Sequence, residues 1–438
     1  MYTKSRLSLA RIPPISVPLR FLLTVPLFGI FAAGLLIGYG PDAIANRWTP
    51  PLLGATHLLT LGYVSMAMVG AMSQMLAVLA GSPLPLPRIT GAVIHTMLTT
   101  GALALVSGFL TAYGWLISLA ILTLGLALML FLGAAFVSLA RSPSRNPTTS
   151  GMRLALASLA VSAAVGLSVA LNHIGALTSP ISSSFTNVHL AWGLVGWVSI
   201  LVISVAYEVV PMFQVTPNYP HWMQRWVAWS MFVCLVLWSG SYVLSSSSSR
   251  LQDLLAGLLS MSLASGLTSF AVTTLYLQHH RRRRLSDVTL LYWRTSMLAL
   301  LCSSSIWIVA QFWPSLTAWR QFPFLLGVLF IIGFSISVIN GMLYKIVPFL
   351  VWLHLQSYNK GRVSLPNIKE IIPDTRARRQ FYMHVAALLL LAGALLEPDW
   401  FFYPAAILFA LSFLYLAFNL FAALRVYRKV KAALTMAD

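Results

Sequence analysis

Twelve apolar stretches follow one another along the chain with only short gaps between them. They fall near 19–39, 50–80, 88–111, 114–140, 152–172, 188–213, 222–245, 252–278, 288–312, 322–353, 380–396 and 400–424. About 20 apolar residues in a helix cross the hydrocarbon core of a bilayer. Backbone in lipid must satisfy its own hydrogen bonds, which leaves helices or a closed barrel. No ten-residue alternating pattern recurs, so the barrel is excluded. The expected fold is therefore an all-α integral membrane protein with twelve transmembrane helices. Only 8% of the residues are charged, against about 25% in soluble domains.

The net charge of +19 could point to nucleic acid, but its placement points elsewhere. With twelve spans and the N-terminus inside, 24 of the 28 basic residues fall in inner segments. Among them are Arg20, Arg153, Arg294, the run Arg281 to Arg284 and the 354–379 loop. Only Arg47, Arg250 and Arg320 fall outside, and Lys345 lies within a span. That asymmetry is the positive-inside pattern of a multi-pass protein. It predicts a bacterial cytoplasmic (inner) membrane location, both termini cytoplasmic, the lipid bilayer as partner and no nucleic acid. The stretch 19–39 is long for a signal peptide and has no clear small-x-small cleavage site, so it reads as a retained first helix. Cys234 and Cys302 lie in apolar spans, and no Cys-x-x-Cys-His occurs. Neither a disulfide framework nor a covalent haem is expected. Phosphate loops, nucleophile elbows, zinc-protease motifs and paired catalytic carboxylates are also missing.

Three spans carry variants of one motif. They read Gly62…Gly70…Gln74, then Gly196…Tyr207-Glu208-Val209-Val210-Pro211, then Gly333…Gly341…Tyr344-Lys345-Ile346-Val347-Pro348. A Gly stands 12 residues before each of Gln74, Glu208 and Lys345, and these three are separated by 134 and 137 residues. A fixed internal period of this kind marks repeated structural units. The reading is one transmembrane domain, 1–438, made of three four-helix modules, 1–150, 151–287 and 288–438. The small residues spaced four or eight apart suit close helix packing in lipid.

Twelve helices in a pseudo-threefold, with the motif on helices 2, 6 and 10, resemble the haem–copper oxidase subunit I superfamily. The likeness is nearest to its nitric oxide reductase and cbb3-like branches. His57 matches the position of a haem ligand near the outer end of helix 2. His189, followed by Tyr207-Glu208-Val209-Val210-Pro211, resembles the helix 6 motif. The chain departs from the family in lacking a His-His pair in 222–245 and in having only His354 on helix 10, at its inner end. The resemblance therefore implies a divergent respiratory-type protein that binds haem b or another metal, copper included. It would handle electrons or a small gas such as NO, without a haem–copper dinuclear centre, beside other respiratory or membrane subunits.

From the residues alone, His57, His173 and His189 near the outer face are the candidate ligands, since neutral imidazole binds metals readily. By the resemblance, His57 and His189 are the haem-binding candidates, and His189 and His173 the metal candidates. Each could equally cap a helix start or face interfacial water. Glu208 and Lys345, with Gln74 in the equivalent place, form a candidate ion pair or polar relay, because intramembrane ionisable groups usually face the interior and pair. Tyr207 and Tyr344 stand beside them, and His95 and His384 could extend a proton path. Met68, Met72 and Met75 share a helix face and read as packing. Two other functions remain open: a transporter or ion or proton pathway without a redox centre, and an accessory or assembly membrane protein.

Overall fold

The protein is described by a computed structural model covering residues 13–178, 182, 184–243, 250–282, 285–359 and 364–436. These residues fold entirely into helices and links, with no strand among them. The long helices are α1 (Ser16–Tyr39), α2 (Pro50–Val78), α3 (Pro87–Thr111), α4 (Gly114–Ala140), α5 (Pro147–His173), α6 (Ser184–Gln214), α7 (His221–Val243), α8 (Arg250–His279), α9 (Val288–Phe312), α10 (Phe322–Tyr358), α11 (Asp374–Gly393) and α12 (Pro398–Met436). Among the described residues, 10 helices are long and apolar enough to cross a membrane, which makes this a multi-pass membrane protein. The two that fall short are α7 and α11. Helix α7 opens with His221, Gln224 and Arg225 and is rich in Trp, while α11 carries Asp374, Arg376, Arg378, Arg379 and Gln380 in its first two turns. Both have the length to span, and the polar first turns of α11 lower its average.

The three motif helices share a deviation from α geometry. Each contains a π-helical segment: Leu58–Ser65 in α2, Trp192–Ser199 in α6 and Val328–Ile336 in α10. Gly62, Gly196 and Gly333 each lie inside one. A π turn shifts the backbone bonds from the fourth to the fifth residue and is frequent at functional sites. Serine hydroxyls brace two of these segments. Ser199 donates to the Leu194 carbonyl at 3.0 Å, and Ser335 to the Phe330 carbonyl at 3.0 Å, each five residues back.

In every repeat the first helix also packs on the motif helix at one register. A Cβ on Gly70 of α2 would stand 2.6 Å from the Phe21 Cβ of α1, and one on Gly341 of α10 would stand 2.8 Å from the Tyr292 Cβ of α9. In α5, Gly151 leaves the equivalent space for the side chain of Ser204 on α6. Gly70, Ser204 and Gly341 all lie eight residues after the motif Gly. Small residues at these points let the helix backbones meet.

The compact units of the fold are not the sequence modules. One unit, here unit I, gathers Gln74–Arg284 with Met297–Phe322; unit II gathers Pro13–Ser73, Leu285–Ser296 and Pro323–Asp438. The cause is visible within unit II. Helix α1 packs on α12 as well as on α2, with Gly29 of α1 lying against the Phe413 ring of α12. Helices from the first and last modules thereby share one core.

Candidate functional site

The core of unit II carries a cluster of polar side chains inside apolar helices. The π segment of α2 supplies Tyr63. One face of α10 supplies Ser337, Asn340 and Tyr344, three and four residues apart. Helix α9 supplies Tyr292, α11 supplies Gln380 and His384 one turn apart, and α12 supplies Ser412 and Asn419. All but Tyr344 are at most 1% exposed, and Tyr344 is also buried. Burying so many polar groups is costly unless they bond one another.

Here they do, side chain to side chain across helices. The Tyr63 hydroxyl donates to Asn340 Oδ1, and the Tyr292 hydroxyl donates to Gln380 Oε1. Gln380 Nε2 donates to Ser412 Oγ at 2.9 Å, and Asn419 Nδ2 to the Tyr344 hydroxyl at 2.9 Å. Ser337 Oγ and His384 Nε2 lie 2.8 Å apart. Aromatic rings join these pairs into one body. The Tyr292 ring stacks on Tyr344 with centroids 6.3 Å apart and tilts against His384 at 5.5 Å. The set remains incomplete. Among the described residues, Asn340 Nδ2, His384 Nδ1 and Asn419 Oδ1 are buried without a hydrogen-bonding partner, although Asn340 lies close to the Tyr292 hydroxyl without an aligned bond. Each buried atom left unsatisfied costs about 1–3 kcal/mol.

The cluster adjoins a charged clamp in the same unit. Lys345, next to Tyr344, reaches Asp287 Oδ2 at 3.2 Å. Asp287 Oδ1 accepts from the Leu290 amide at 3.1 Å, which caps α9. Asp374 accepts from Arg378 Nε at 2.6 Å and from the Val288 amide at 3.2 Å, and Arg378 donates to the Ser286 carbonyl. The start of α9 is thus gripped from α10 and α11.

Lys345 was expected opposite Glu208, but its carboxylate partner is Asp287, in the link that leads into α9. Asp287 sits at the level where a Lys on α10 can reach out of the apolar core. Glu208 is an exposed carboxylate of unit I, with no ion pair among the described residues. Gln74 is buried, 8% exposed, and both its amide atoms lack partners among the described residues. The three equivalent positions therefore have three different fates.

The outer histidines take separate places. His57 Nδ1 donates to its own Leu53 carbonyl at 2.8 Å, immediately before the π segment of α2. His189 Nδ1 lies 2.9 Å from the Ser162 carbonyl of α5, with its ring against Gly166. In both rings the proton belongs on Nδ1, which makes Nε2 the ligating nitrogen. His173 is exposed, with its ring edge on Phe109 at 6.1 Å. Among the described residues no three of His, Cys, Asp and Glu gather as a metal site, so the copper expectation finds no ligand set there. His354, by contrast, lies against the Leu350 and Pro13 carbonyls at 2.9 and 3.3 Å. His384 is fully buried, whereas its sequence counterpart His95 is half-buried. Met68 and Met72 are buried packing residues.

Sequence reasoning picked out Tyr344 and His384 but passed over Tyr63, Tyr292, Asn340, Gln380 and Asn419. It searched the spans for charges. Lone amides in apolar helices were the signal, since buried amides in lipid also need partners. Compared with known proteins, the chain matches no family model, and no curated protein matches it significantly.

Proposed function

We propose that this chain is a twelve-span protein of the bacterial cytoplasmic membrane, with both termini cytoplasmic and a haem–copper oxidase subunit I-like architecture. In this reading the polar core of unit II conducts protons across the bilayer. The observation that carries it is the chain of buried hydroxyls, amides and one imidazole spread over five helices, with partnerless polar atoms still available inside it. Polar and ionisable groups inside a membrane are costly and commonly mark ion or proton pathways. Tyr and Ser hydroxyls both donate and accept, so they pass a proton on without themselves holding charge. The clamp of Lys345 and Asp287 lies at the Tyr344 end of the path. Purified protein in sealed vesicles with an entrapped pH dye tests the reading. An imposed potential should acidify or alkalise the lumen faster than in protein-free vesicles. Equal rates would contradict it.

A second reading is favoured by the ring geometry of His57. With its Nδ1 proton held by Leu53, His57 is set to bind iron through Nε2, as axial histidines are oriented by such outer bonds. Bound haem b would supply electron transfer or an open iron position for a small gas such as NO. The chain's own part is to hold one ligand at the outer end of α2. Under this reading, protein expressed with ample haem shows a Soret band that His57→Ala abolishes and His354→Ala leaves intact. A colourless wild-type protein would remove this reading.

A further inference from the structure

Within the proposed conduction path, one atom stands apart from the others. Ser337 has a single proton to donate, and its hydroxyl points to the Ile332 carbonyl, five residues back in the π segment of α10, at 3.3 Å. His384 Nε2 lies 2.8 Å from the same oxygen, a contact that either atom can donate. Nδ1 is buried with no partner among the described residues. A hydroxyl that keeps its proton on the Ile332 carbonyl accepts from Nε2–H and leaves Nδ1 as a bare lone pair. The ring is 0% exposed and tilted against the Tyr292 ring. Tyr292 is the titratable group in ring contact with it from α9, and α10 offers only the neutral Ser337. No carboxylate or cation contacts it among the described residues.

We infer that His384 Nδ1 is a proton-binding site inside the membrane, where a proton carried by water is taken up and given back. This rests on the conduction reading. A hydronium ion transfers its proton to Nδ1, an N–H bond forms, water is released and the ring becomes an imidazolium. Release reverses the same step at the same nitrogen. The Nε2–H bond to Ser337 persists throughout and keeps the ring aimed.

Two readouts test it. Histidine-selective 15N nuclear magnetic resonance on the full chain in lipid, with His384→Gln to assign the signal, reads the tautomer. At neutral pH the signal should show a protonated Nε2 and a bare Nδ1, and acidification should convert it to the doubly protonated ring. A Ser337→Ala variant should give a mixture of tautomers. Finding Nδ1–H at neutral pH, or a ring that stays neutral until the protein unfolds, would overturn the assignment. The second readout is vesicle proton flux. His384→Gln keeps a donor nitrogen facing Ser337, so it should melt near the wild type. Its flux should fall about 100-fold, the low end for loss of a positioned proton-transfer group. Wild-type flux retained in folded His384→Gln would also overturn the inference. No flux in the wild type would instead sink the conduction reading, and the resonance experiment would still decide the site.

Discussion

Tyr207 and Tyr344 occupy the same place in two copies of one motif, and the two units use them differently. In unit I the Tyr207 hydroxyl donates to the Met223 carbonyl at 3.0 Å, a backbone group at the start of α7. Of the neighbouring buried polar groups, Thr274 also ends on backbone, while Tyr219 and Gln278 each meet one side chain. Tyr219 and Thr274 bond at 2.9 Å, Thr274 returns its proton to the Phe270 carbonyl at 2.7 Å, and Gln278 donates to Gln214 at 3.0 Å. These are short, local ties that fasten α6, α7 and α8 together. In unit II, Tyr344 is met by an amide side chain, Asn419 of α12, and its ring stacks on Tyr292, which bonds Gln380 of α11. Ending on the backbone makes a strut. Ending on another side chain leaves a rotor that can accept and pass on a proton. The same residue type at the same sequence position thus serves two ends, decided by what the opposing helix presents.

The largest expected effect of breaking this contrast is at Asn340. Asn340→Leu strands the buried Tyr63 hydroxyl, which should lower stability by about 1–3 kcal/mol and abolish vesicle proton flux. A calorimetric melt and the flux assay read the two effects, and undiminished flux in folded protein would separate Tyr63 and Asn340 from the path. Next come the paired tyrosine variants. Tyr207→Phe should cost about 1 kcal/mol through the lost bond to Met223 and leave flux unchanged. Tyr344→Phe should cost a similar amount and reduce flux as well. The smallest effects belong to the charges. Asp287→Asn retains the cap on α9 but loses the ion pair to Lys345. Both side chains are 26% exposed, so solvent screening limits the loss to about 1 kcal/mol or less. Glu208→Gln should change stability by no more than about 0.5 kcal/mol, as surface substitutions do. Combined with Lys345→Met, it should be additive, since Lys345 pairs with Asp287. A rescue of one change by the other would restore the ion pair first expected between them.

Much of the fold was legible because the signals that specify it are long and cumulative. Apolar runs of bilayer length located the helices, and the small residues spaced four or eight apart marked α2 and α10 for close packing, which the structure shows at Gly70 and Gly341. The π segments were not legible, because a one-residue change in backbone bonding leaves no periodic trace over eight residues. The grouping into two units was hidden for a different reason: a repeat records descent along the chain, while contact follows which helices close on each other, as α1 does on α12. At the candidate site, Tyr344 stood out beside a motif charge and His384 as the counterpart of His95, whereas Tyr63 and Asn340 adjoin motif glycines without any charge, and Gln380 lies on another helix. Only their convergence gives them a role. Lys345 misled because the motif copies suggested a partner at the equivalent position, and the actual partner, Asp287, lies outside any copy of the motif.

The central claim is that the side-chain network of unit II, and not the ties of unit I, carries protons. The direct test is proton flux through vesicles containing Tyr344→Phe, measured beside vesicles containing Tyr207→Phe at matched protein content and orientation. The account predicts reduced flux in the first and wild-type flux in the second. Equal flux in the two variants, or a loss confined to Tyr207→Phe, would contradict it.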